Sequence, residues 1–390
     1  MPAASSDASD FVVVGAGLAG AATAWQLASR GHHVTLLERS RPAAHDGSSH
    51  GSARIFRYAY PDSFYTRAVR ESKALWDALA AASGTSLITP FGAVDYGPKR
   101  NPRLLAAMLA GEGIEHELLS AANARNRWPQ IAFDTEVLWH PGAGVIDAET
   151  AVNAMVGLAV GNGARLLTGW ELHSVERTGT GYRLHSSSGE AVDAGNVVIS
   201  AGGWLPGLVG QLGLPAGFLA GLPEITVRQE QAFHFKYRDY DGGAGAGAEG
   251  WPTFIHKAAH IQAYGLPGGR DAGFAGQKVA EYNGGKLIPS ALDQTGEVDP
   301  ANRHRVVDYV RRYLPGLDPE PYAETTCLFT STPNEDFIID RVQNLTVLSP
   351  CSGHGAKFAP LIGQWAADLA TGTGTVPDRF RTATSTALTR

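Results

Sequence analysis

Cysteine and net positive charge are both scarce in this 390-residue sequence. It contains two cysteines and carries a formal net charge of −6. Two thiols cannot build a disulfide framework, so a reducing compartment is expected. A chain with excess negative charge offers no overall basic field to a nucleic acid. We therefore predict a protein that does not bind nucleic acid.

Long apolar runs are also missing. No stretch approaches the roughly 20 apolar residues of a membrane-spanning helix. The first ten residues, MPAASSDASD, lack the basic and apolar segments of a secretory signal. We expect a cytoplasmic globular protein without a membrane partner, and its length predicts two domains or one large composite domain.

A glycine-rich turn stands between an apolar run and a helical pattern. The run at residues 11–14 is typical of a buried strand, and it leads into Gly15, Gly17 and Gly20; a second apolar run then ends at Glu38. Gly15 allows a tight turn, Gly17 lets a pyrophosphate approach the backbone, and Gly20 lets helix and strand pack closely. The unit predicts a dinucleotide site, with Glu38 accepting from ribose hydroxyls, which disfavours NADP. It leaves NAD and FAD open.

A second stretch, DGSSHGSARIFRYAYPD, places Arg54 and Arg57 among aromatic residues. Arginines three apart share one face of a helix, and an isolated pair is most often a solvated basic face. The glycine- and serine-rich residues before the pair and the aromatic residues around it favour a partly desolvated site for an anion or a flavin ring. These residues alone leave both interpretations open.

Together with five further segments, these two stretches resemble the FAD-dependent amine oxidases of the monomeric sarcosine oxidase and N-methyltryptophan oxidase family. The further segments occur in the same order and spacing: ARNRWPQI, PGAGVIDAETAVNAM, VVISAGGWLPGL, CLFTSTPNEDFIID and CSGHGAKFAP. The resemblance covers nearly the whole chain. It implies a mixed α/β (α+β) fold, in which a Rossmann-like FAD-binding domain is interleaved with an antiparallel-sheet substrate domain.

The resemblance also implies a division of the chain. The FAD-binding domain would be discontinuous and comprise residues 1–90, 144–216 and 321–390. The substrate domain would comprise residues 91–143 and 217–320.

One segment is predicted from its composition alone. Residues 239–252, DYDGGAGAGAEGWP, are rich in glycine and alanine and have no apolar period. Such a composition is typical of a flexible surface loop.

Cys327 lies ahead of the run FIID, which is typical of a buried strand. From the residues alone, a small core residue is the more common role of a free cysteine. The resemblance implies instead a thioether from Cys327 to the 8α-methyl group of FAD, for which a lone thiolate suffices. Cys351 has no role in the family pattern, and we expect a packed thiol near the cofactor.

The resemblance implies that Arg57 and Lys357 converge on the substrate carboxylate. A guanidinium can grip a carboxylate bidentately, and an ammonium adds a point charge. Lys357 follows Gly353 and Gly355, which permit close backbone approach, and Arg54 is expected near the flavin ring. Further cofactor-binding residues implied by the resemblance are Ser48, His50, Gly202 and Trp204.

Three residues complete the predicted catalytic set. Tyr264 resembles the active-site tyrosine of the family, and Lys278 resembles the lysine that activates oxygen, where a fixed ammonium stabilises developing negative charge. An exposed lysine in a glycine-rich loop is the alternative for Lys278. Tyr282 stands where sarcosine oxidases carry histidine, and Phe329 where they carry tyrosine. These departures predict a substrate larger than sarcosine, or a cyclic one.

These features predict an FAD-dependent oxidase of a secondary α-amino acid, N-methyl or cyclic. It would pass a hydride to flavin N5 and reduce O2 to H2O2. The alternatives are a dehydrogenase of the same fold with another electron acceptor, an imino-acid oxidase of a biosynthetic pathway, and a flavin-binding protein without turnover. We expect a monomer whose partners are a small amino acid and O2, with no metal.

Overall fold

The computed structural model describes residues 9–238 and 250–382. Most of the segment predicted as a flexible loop, residues 239–249, lies outside the described residues. Within the described ranges, no helix combines the length and apolar character needed to cross a membrane.

The strands range from 2 to 15 residues in length and are separated by helices and turns. In chain order they are β1 (Ser9–Val14), β2 (Val34–Glu38), β3 (Arg54–Phe56), β4 (Ile88–Thr89), β5 (Ala93–Tyr96), β6 (Glu117–Leu119), β7 (Val137–His140), β8 (Gly144–Ile146), β9 (Arg165–Thr168), β10 (Leu172–Arg177), β11 (Tyr182–Ser186), β12 (Ala191–Ile199), β13 (Thr226–Tyr237), β14 (Thr253–Lys257), β15 (Gln262–Pro267), β16 (Gly276–Glu281), β17 (Lys286–Ile288), β18 (Leu317–Ser331), β19 (Ile338–Val342) and β20 (Leu345–Ser349). The α-helices are α1 (Leu18–Ser29), α2 (Ser63–Ser83), α3 (Pro102–Gly111), α4 (Ala121–Arg127), α5 (Ala148–Gly161), α6 (Leu205–Leu208), α7 (Ala216–Gly221), α8 (Pro300–Tyr313) and α9 (Ala359–Thr371).

The first sheet has a parallel centre. Strand β1 lies between β12 and β2 and runs parallel to both, with β9 beyond β2 and β20 beside β12. Helix α1 packs against α5 and α9. Strands of such a covered parallel sheet are apolar throughout, which is why residues 11–14 are all buried. This is the Rossmann-like half that the sequence predicted.

The second sheet is mainly antiparallel. Its order is β17–β13–β16–β15–β14–β5–β7–β6, and β18 pairs with β13. Strand β18 runs along one edge of β13, while β16 and β17 pair with two separate parts of its other edge. A third, three-stranded sheet of order β3–β8–β4 carries Arg54. The mixed α/β fold predicted from the sequence is confirmed.

One predicted domain boundary differs from the strand pairing. The FAD-binding domain was expected to resume at residue 321, but β18 is paired with β13 from Leu317 to Ser331. Residues 321–331 therefore belong to the second sheet, because the chain returns to the first sheet only at β19, which pairs with β20. The rest of the division stays a proposal.

Candidate active site

The glycine-rich turn between β1 and α1 forms one end of the site. Gly15 has a φ of +95°, and a Cβ there would lie 2.3 Å from the carbonyl oxygen of Ser200, so a side chain is excluded. A Cβ at Gly20 would lie 1.8 Å from the Gly15 carbonyl oxygen, because α1 lies directly against the turn. Gly17 provides the N-cap without a side-chain cap. Such a helix N-terminus favours an anion.

Glu38 lies beside this turn at the end of β2. One of its carboxylate oxygens accepts from the Ala16 N–H at 2.7 Å and the other from the Ser40 N–H at 2.9 Å. Ser49 accepts from the Leu18 N–H at 3.0 Å through its Oγ. The role of Ser49 was missed from the sequence, although its place in the GSSHG segment was a signal.

A cavity of about 890 Å³ connects the turn with the CSGHGAKF segment. This volume lies at the upper end of the range for ligand sites, about 300–1,000 Å³. The predicted site residues that line it are Gly15, Gly17, Glu38, Ser48, Arg54, Arg57, Gly202, Trp204, Tyr264, Lys278, Tyr282, Cys327, Gly353, Gly355 and Lys357. Residues from five of the seven segments that carry the family resemblance thus meet at one cavity, whereas ARNRWPQI and PGAGVIDAETAVNAM do not line it.

Two predicted cofactor residues, Gly20 and His50, do not line the cavity. His50 is buried, and burial together with Arg54 and Lys278 lowers its pKa to about 3, so the imidazole is neutral. Its Nε2 has no hydrogen-bond partner among the described residues. Arg54 and Lys278, whose charges act on His50, both line the cavity. A direct contact of His50 with the cofactor stays a prediction.

Cys327 and Lys278 share one wall of the cavity. They lie on β18 and β16, on either side of β13. Lys278 is only 7% exposed, which excludes the alternative of an exposed loop lysine. Burial, followed by Arg54, lowers its pKa to about 8. Burial raises the pKa of the Cys327 thiol, and the charges of Lys278 and Arg54 oppose that shift.

The second cysteine, Cys351, also lines the cavity. Burial raises the pKa of its thiol, while hydrogen bonds with Thr330 and Ser48 act in the opposite direction. Hydrogen bonds are thus the main influence that lowers the pKa of Cys351, whereas the charges of Lys278 and Arg54 are the main influence that lowers the pKa of Cys327. The two thiols therefore differ in their surroundings.

Arg57 and Lys357 converge at the far end of the cavity, although 300 positions separate them in sequence. The Arg57 Cζ lies 4.4 Å and the Lys357 Nζ 5.6 Å from the centre of the Tyr60 ring. Arg57 donates to the Ala59 carbonyl, and Lys357 donates to the His354 carbonyl at 2.7 Å. Across the described ranges neither cation is paired with a carboxylate. Burial, followed by Arg57, lowers the pKa of Lys357 well below its usual value.

Tyr60 and Glu335, an aromatic and a carboxylate residue that line the same cavity, were not predicted as site residues. The Tyr60 hydroxyl lies 3.0 Å from the His354 Nδ1. The Tyr282 hydroxyl donates to Glu335 at 2.9 Å, and Glu335 also lines the cavity. The signal for Tyr60 was its place in RYAYPD, directly after Arg57. Glu335 gave no comparable signal.

A buried cluster of charged residues contacts the backbone next to Arg57. Arg100 donates to Asp95 at 2.6 Å and to the Ala59 carbonyl at 3.1 Å, and His140 lies 3.0 Å from Asp95. The Ala59 carbonyl thus accepts from both Arg100 and Arg57. This cluster was also missed, since it depends on the pairing of β5 with β7.

The residues present fit a flavin dinucleotide. The turn at Gly15 offers a helix N-terminus for a pyrophosphate, and Glu38 stands beside it for a ribose. Trp204 lines the cavity, and its buried indole N–H has no acceptor among the described residues. A donor of this kind suits a polar group of a ligand, because a buried N–H left unpaired is costly.

Known proteins share this fold along nearly the whole chain. A family model described as FAD dependent oxidoreductase matches residues 10–369. Peroxisomal sarcosine oxidase of Mus musculus is 32% identical over 371 residues, covering 93% of this chain and 92% of that protein. Monomeric sarcosine oxidase of Streptomyces avermitilis is 31% identical over 385 residues, covering 94% and 95%. The solved structure of NikD, "an unusual amino acid oxidase essential for nikkomycin biosynthesis", has a TM-score of 0.83 at 24% identity and covers 96% and 97%, which supports the fold.

Proposed function

Because this chain belongs to the FAD dependent oxidoreductase family and, within it, to the sarcosine oxidases, we propose that it oxidises the C–N bond of a secondary α-amino acid, N-methyl or cyclic, with O2 as the electron acceptor. The observation that carries the proposal is the convergence of Arg57 and Lys357 on Tyr60. Two cations held together in a buried pocket repel each other, so the pocket favours an anion. A carboxylate of a small amino acid meets that requirement.

FAD supplies the two-electron acceptor when bound, and the glycine-rich turn, Glu38, Arg54 and Trp204 would hold it. Arg57 binds one face of the substrate carboxylate, and its guanidinium is oriented by the Ala59 carbonyl. Lys357 adds a second positive charge from the His354 side. These contacts orient the substrate within the cavity.

The amine end of the substrate meets hydroxyl groups that stay neutral. Burial raises the pKa of Tyr264 and of Tyr282, so neither hydroxyl is a base near neutral pH. The substrate therefore reacts from its neutral amine. Lys278, buried beside the flavin end, would stabilise negative charge that develops on oxygen.

An apolar surface beside these hydroxyls supports the preference for a substrate larger than sarcosine. The Tyr282 and Phe329 rings lie 6.1 Å apart. Gly353, with a φ of +67°, lies under both, and a Cβ there would be 2.8 Å from the Phe329 ring. Two rings at this place can pack against an N-alkyl group or a ring of the substrate.

Three finer features belong to the same proposal. FAD is held covalently through Cys327, which is supported by the cationic surroundings of that thiol. The enzyme acts as a monomer, by analogy with the relative named monomeric sarcosine oxidase. A cytoplasmic location remains a prediction from composition.

Anaerobic mixing of the holoenzyme with a panel of amino acids tests the function. We expect secondary amino acids, N-methyl or cyclic, to bleach the flavin absorbance, and primary amino acids to do so far more slowly. Admission of O2 should restore the absorbance and yield H2O2. Bleaching that O2 does not reverse would point to a dehydrogenase, and no bleaching with any amino acid would contradict the proposal.

A further inference from the structure

Glu230 is a buried carboxyl group that the reaction above does not use. It lies on β13, is 2% exposed, and accepts from the Gly285 N–H at 3.1 Å through Oε2. Its other oxygen, Oε1, is buried and has no partner among the described residues. A carboxylate oxygen left without a donor inside a protein is costly and needs an explanation.

The sheet register places Glu230 beside Cys327. The two residues are directly opposed in the antiparallel pair of β13 and β18. Directly opposed side chains share one face of a sheet, with Cβ atoms about 4.5–5.5 Å apart. Lys278 and Cys327 both line the cavity. Lys278 is directly opposed to His234 of β13. His234 follows Glu230 by four residues, so the two side chains lie on the same face of β13. Glu230 therefore lies on the same face of the second sheet as these two lining residues, although it does not itself line the cavity.

We propose that Glu230 is the base that removes the thiol proton of Cys327 when the covalent bond to FAD forms. The inference rests on the proposed covalent link. Cys327 loses its S–H proton to the Glu230 carboxylate, and the sulfur bonds to a flavin methyl carbon in place of one hydrogen. That hydrogen leaves as a proton, two electrons pass to the flavin, and O2 takes them with two protons to give H2O2.

The charges around the pair fit this proton transfer. Burial raises the pKa of Glu230 to about 7, while the Gly285 N–H acts to lower it. The thiol, whose pKa is raised by burial, is the weaker acid of the two. Above pH 7 an ionised carboxylate then lies opposite a neutral thiol on the neighbouring strand, the protonation states that a general base and its proton donor require. The other titratable and charged groups that interact with Glu230 or Cys327 are Arg228, on the same strand as Glu230, and, on other elements, Arg54, Tyr264, Lys278, Glu281 and Cys351.

The test uses the full-length chain produced without flavin and then mixed with FAD. Covalent attachment is followed with time by fluorescence on a denaturing gel and by intact mass. We expect Glu230→Gln to slow attachment by about 10²-fold or more, the usual contribution of a general base. Glu230→Asp should restore part of the rate. Glu324→Gln is the matched control, since Glu324 lies on β18, the strand of Cys327, but on the opposite face of the sheet, and pairs with Arg303.

The pH dependence of the attachment rate distinguishes a general base from a carboxylate that acts only through its charge. In the parent chain the attachment rate should rise through about pH 7, and Glu230→Gln should lose that rise. A carboxylate acting only as a charge raises the pKa of the thiol, so its removal would speed attachment. An equal or faster rate in Glu230→Gln would therefore overturn the proposal.

Three further outcomes complete the test, and the last two separate the proposal from the function it rests on. If Glu230→Gln does not bind FAD at all, the pH dependence of the attachment rate in the parent chain is the deciding measurement. An attachment rate that rises only above about pH 9, the ordinary range of a thiol, would overturn the proposal. A parent chain that oxidises amino acids without covalent flavin would refute the covalent link and this role while leaving the oxidase function standing. Attachment with the expected profile but no amino acid oxidation would refute only the function.

Discussion

Replacement of Lys357 by methionine should weaken carboxylate binding and yet stabilise the ligand-free protein. Lys357 is 4% exposed, and its ammonium donates to the His354 carbonyl without a carboxylate partner in the described ranges. Methionine has a similar volume and no charge. The substitution therefore removes a contact that matters when a carboxylate is bound, and also removes a charge that is costly when none is bound.

The magnitudes follow from the burial of this group. A hydrogen bond to a charged partner contributes about 1.5–3 kcal/mol, so the Kd of a simple carboxylate should rise by about 10- to 150-fold. Loss of the buried, repelled charge should stabilise the ligand-free chain by about 1–4 kcal/mol. Because the pKa of Lys357 is lower in the folded state than in the unfolded state, the unfolded chain binds more protons at pH values between these two pKa values. Between these pH values the free energy of unfolding of the parent rises with pH, so the stability advantage of Lys357→Met should shrink.

The assay is a spectral titration of the flavin with acetate, together with thermal unfolding at several pH values. Lys73→Met is the control, because Lys73 is a surface residue paired with Asp77. It should leave both acetate binding and the flavin spectrum unchanged. An unchanged Kd for acetate in Lys357→Met would refute the assignment of this lysine to the substrate carboxylate.

Two other predictions concern residues that are expected near the flavin: the two cysteines and Lys278. Cys327→Ser should release FAD on acid precipitation, while Cys351→Ser should retain it; release by the Cys351 change alone would reverse the assignment. Lys278→Met should slow reoxidation by O2 by about 10²–10³-fold, the usual effect of losing a group that stabilises developing charge, and affect reduction by substrate much less. Since burial lowers the pKa of Lys278 to about 8, the parent's reoxidation should also slow as the pH rises through 8, which stopped-flow mixing with O2 would measure.

Local signals explain why part of the site could be predicted. The turn at Gly15 and the acid at Glu38 belong to one continuous strand–helix–strand segment, so their spacing alone places them together. Arg57 and Lys357 could be paired only through the family resemblance, because nothing in their local sequence joins them. The structure places them around Tyr60, a residue that the sequence analysis did not single out.

Long-range pairing explains what could not be predicted. Asp95 and His140 meet because β5 pairs with β7, and neither sequence neighbourhood reports that pairing. Glu230 is one of four consecutive polar residues, 228–231, and nothing distinguishes it until its register opposite Cys327 is known. The boundary predicted at residue 321 departs from the strand pairing for the same reason, since only the pairing of β18 places residues 321–331 in the second sheet.

Comparison of a substrate with its methyl ester tests the central claim most directly. The holoenzyme is mixed anaerobically with a secondary α-amino acid that bleaches the flavin and, separately, with its ester. We expect the apparent affinity for the ester to be lower by about 10-fold or more, because a hydrogen bond to a charged group is lost. Lys357→Met should add little further loss, because both changes remove the same interaction. Bleaching by the ester at the same concentrations and rate as by the free acid would contradict the account, since Arg57 and Lys357 would then not hold the substrate carboxylate.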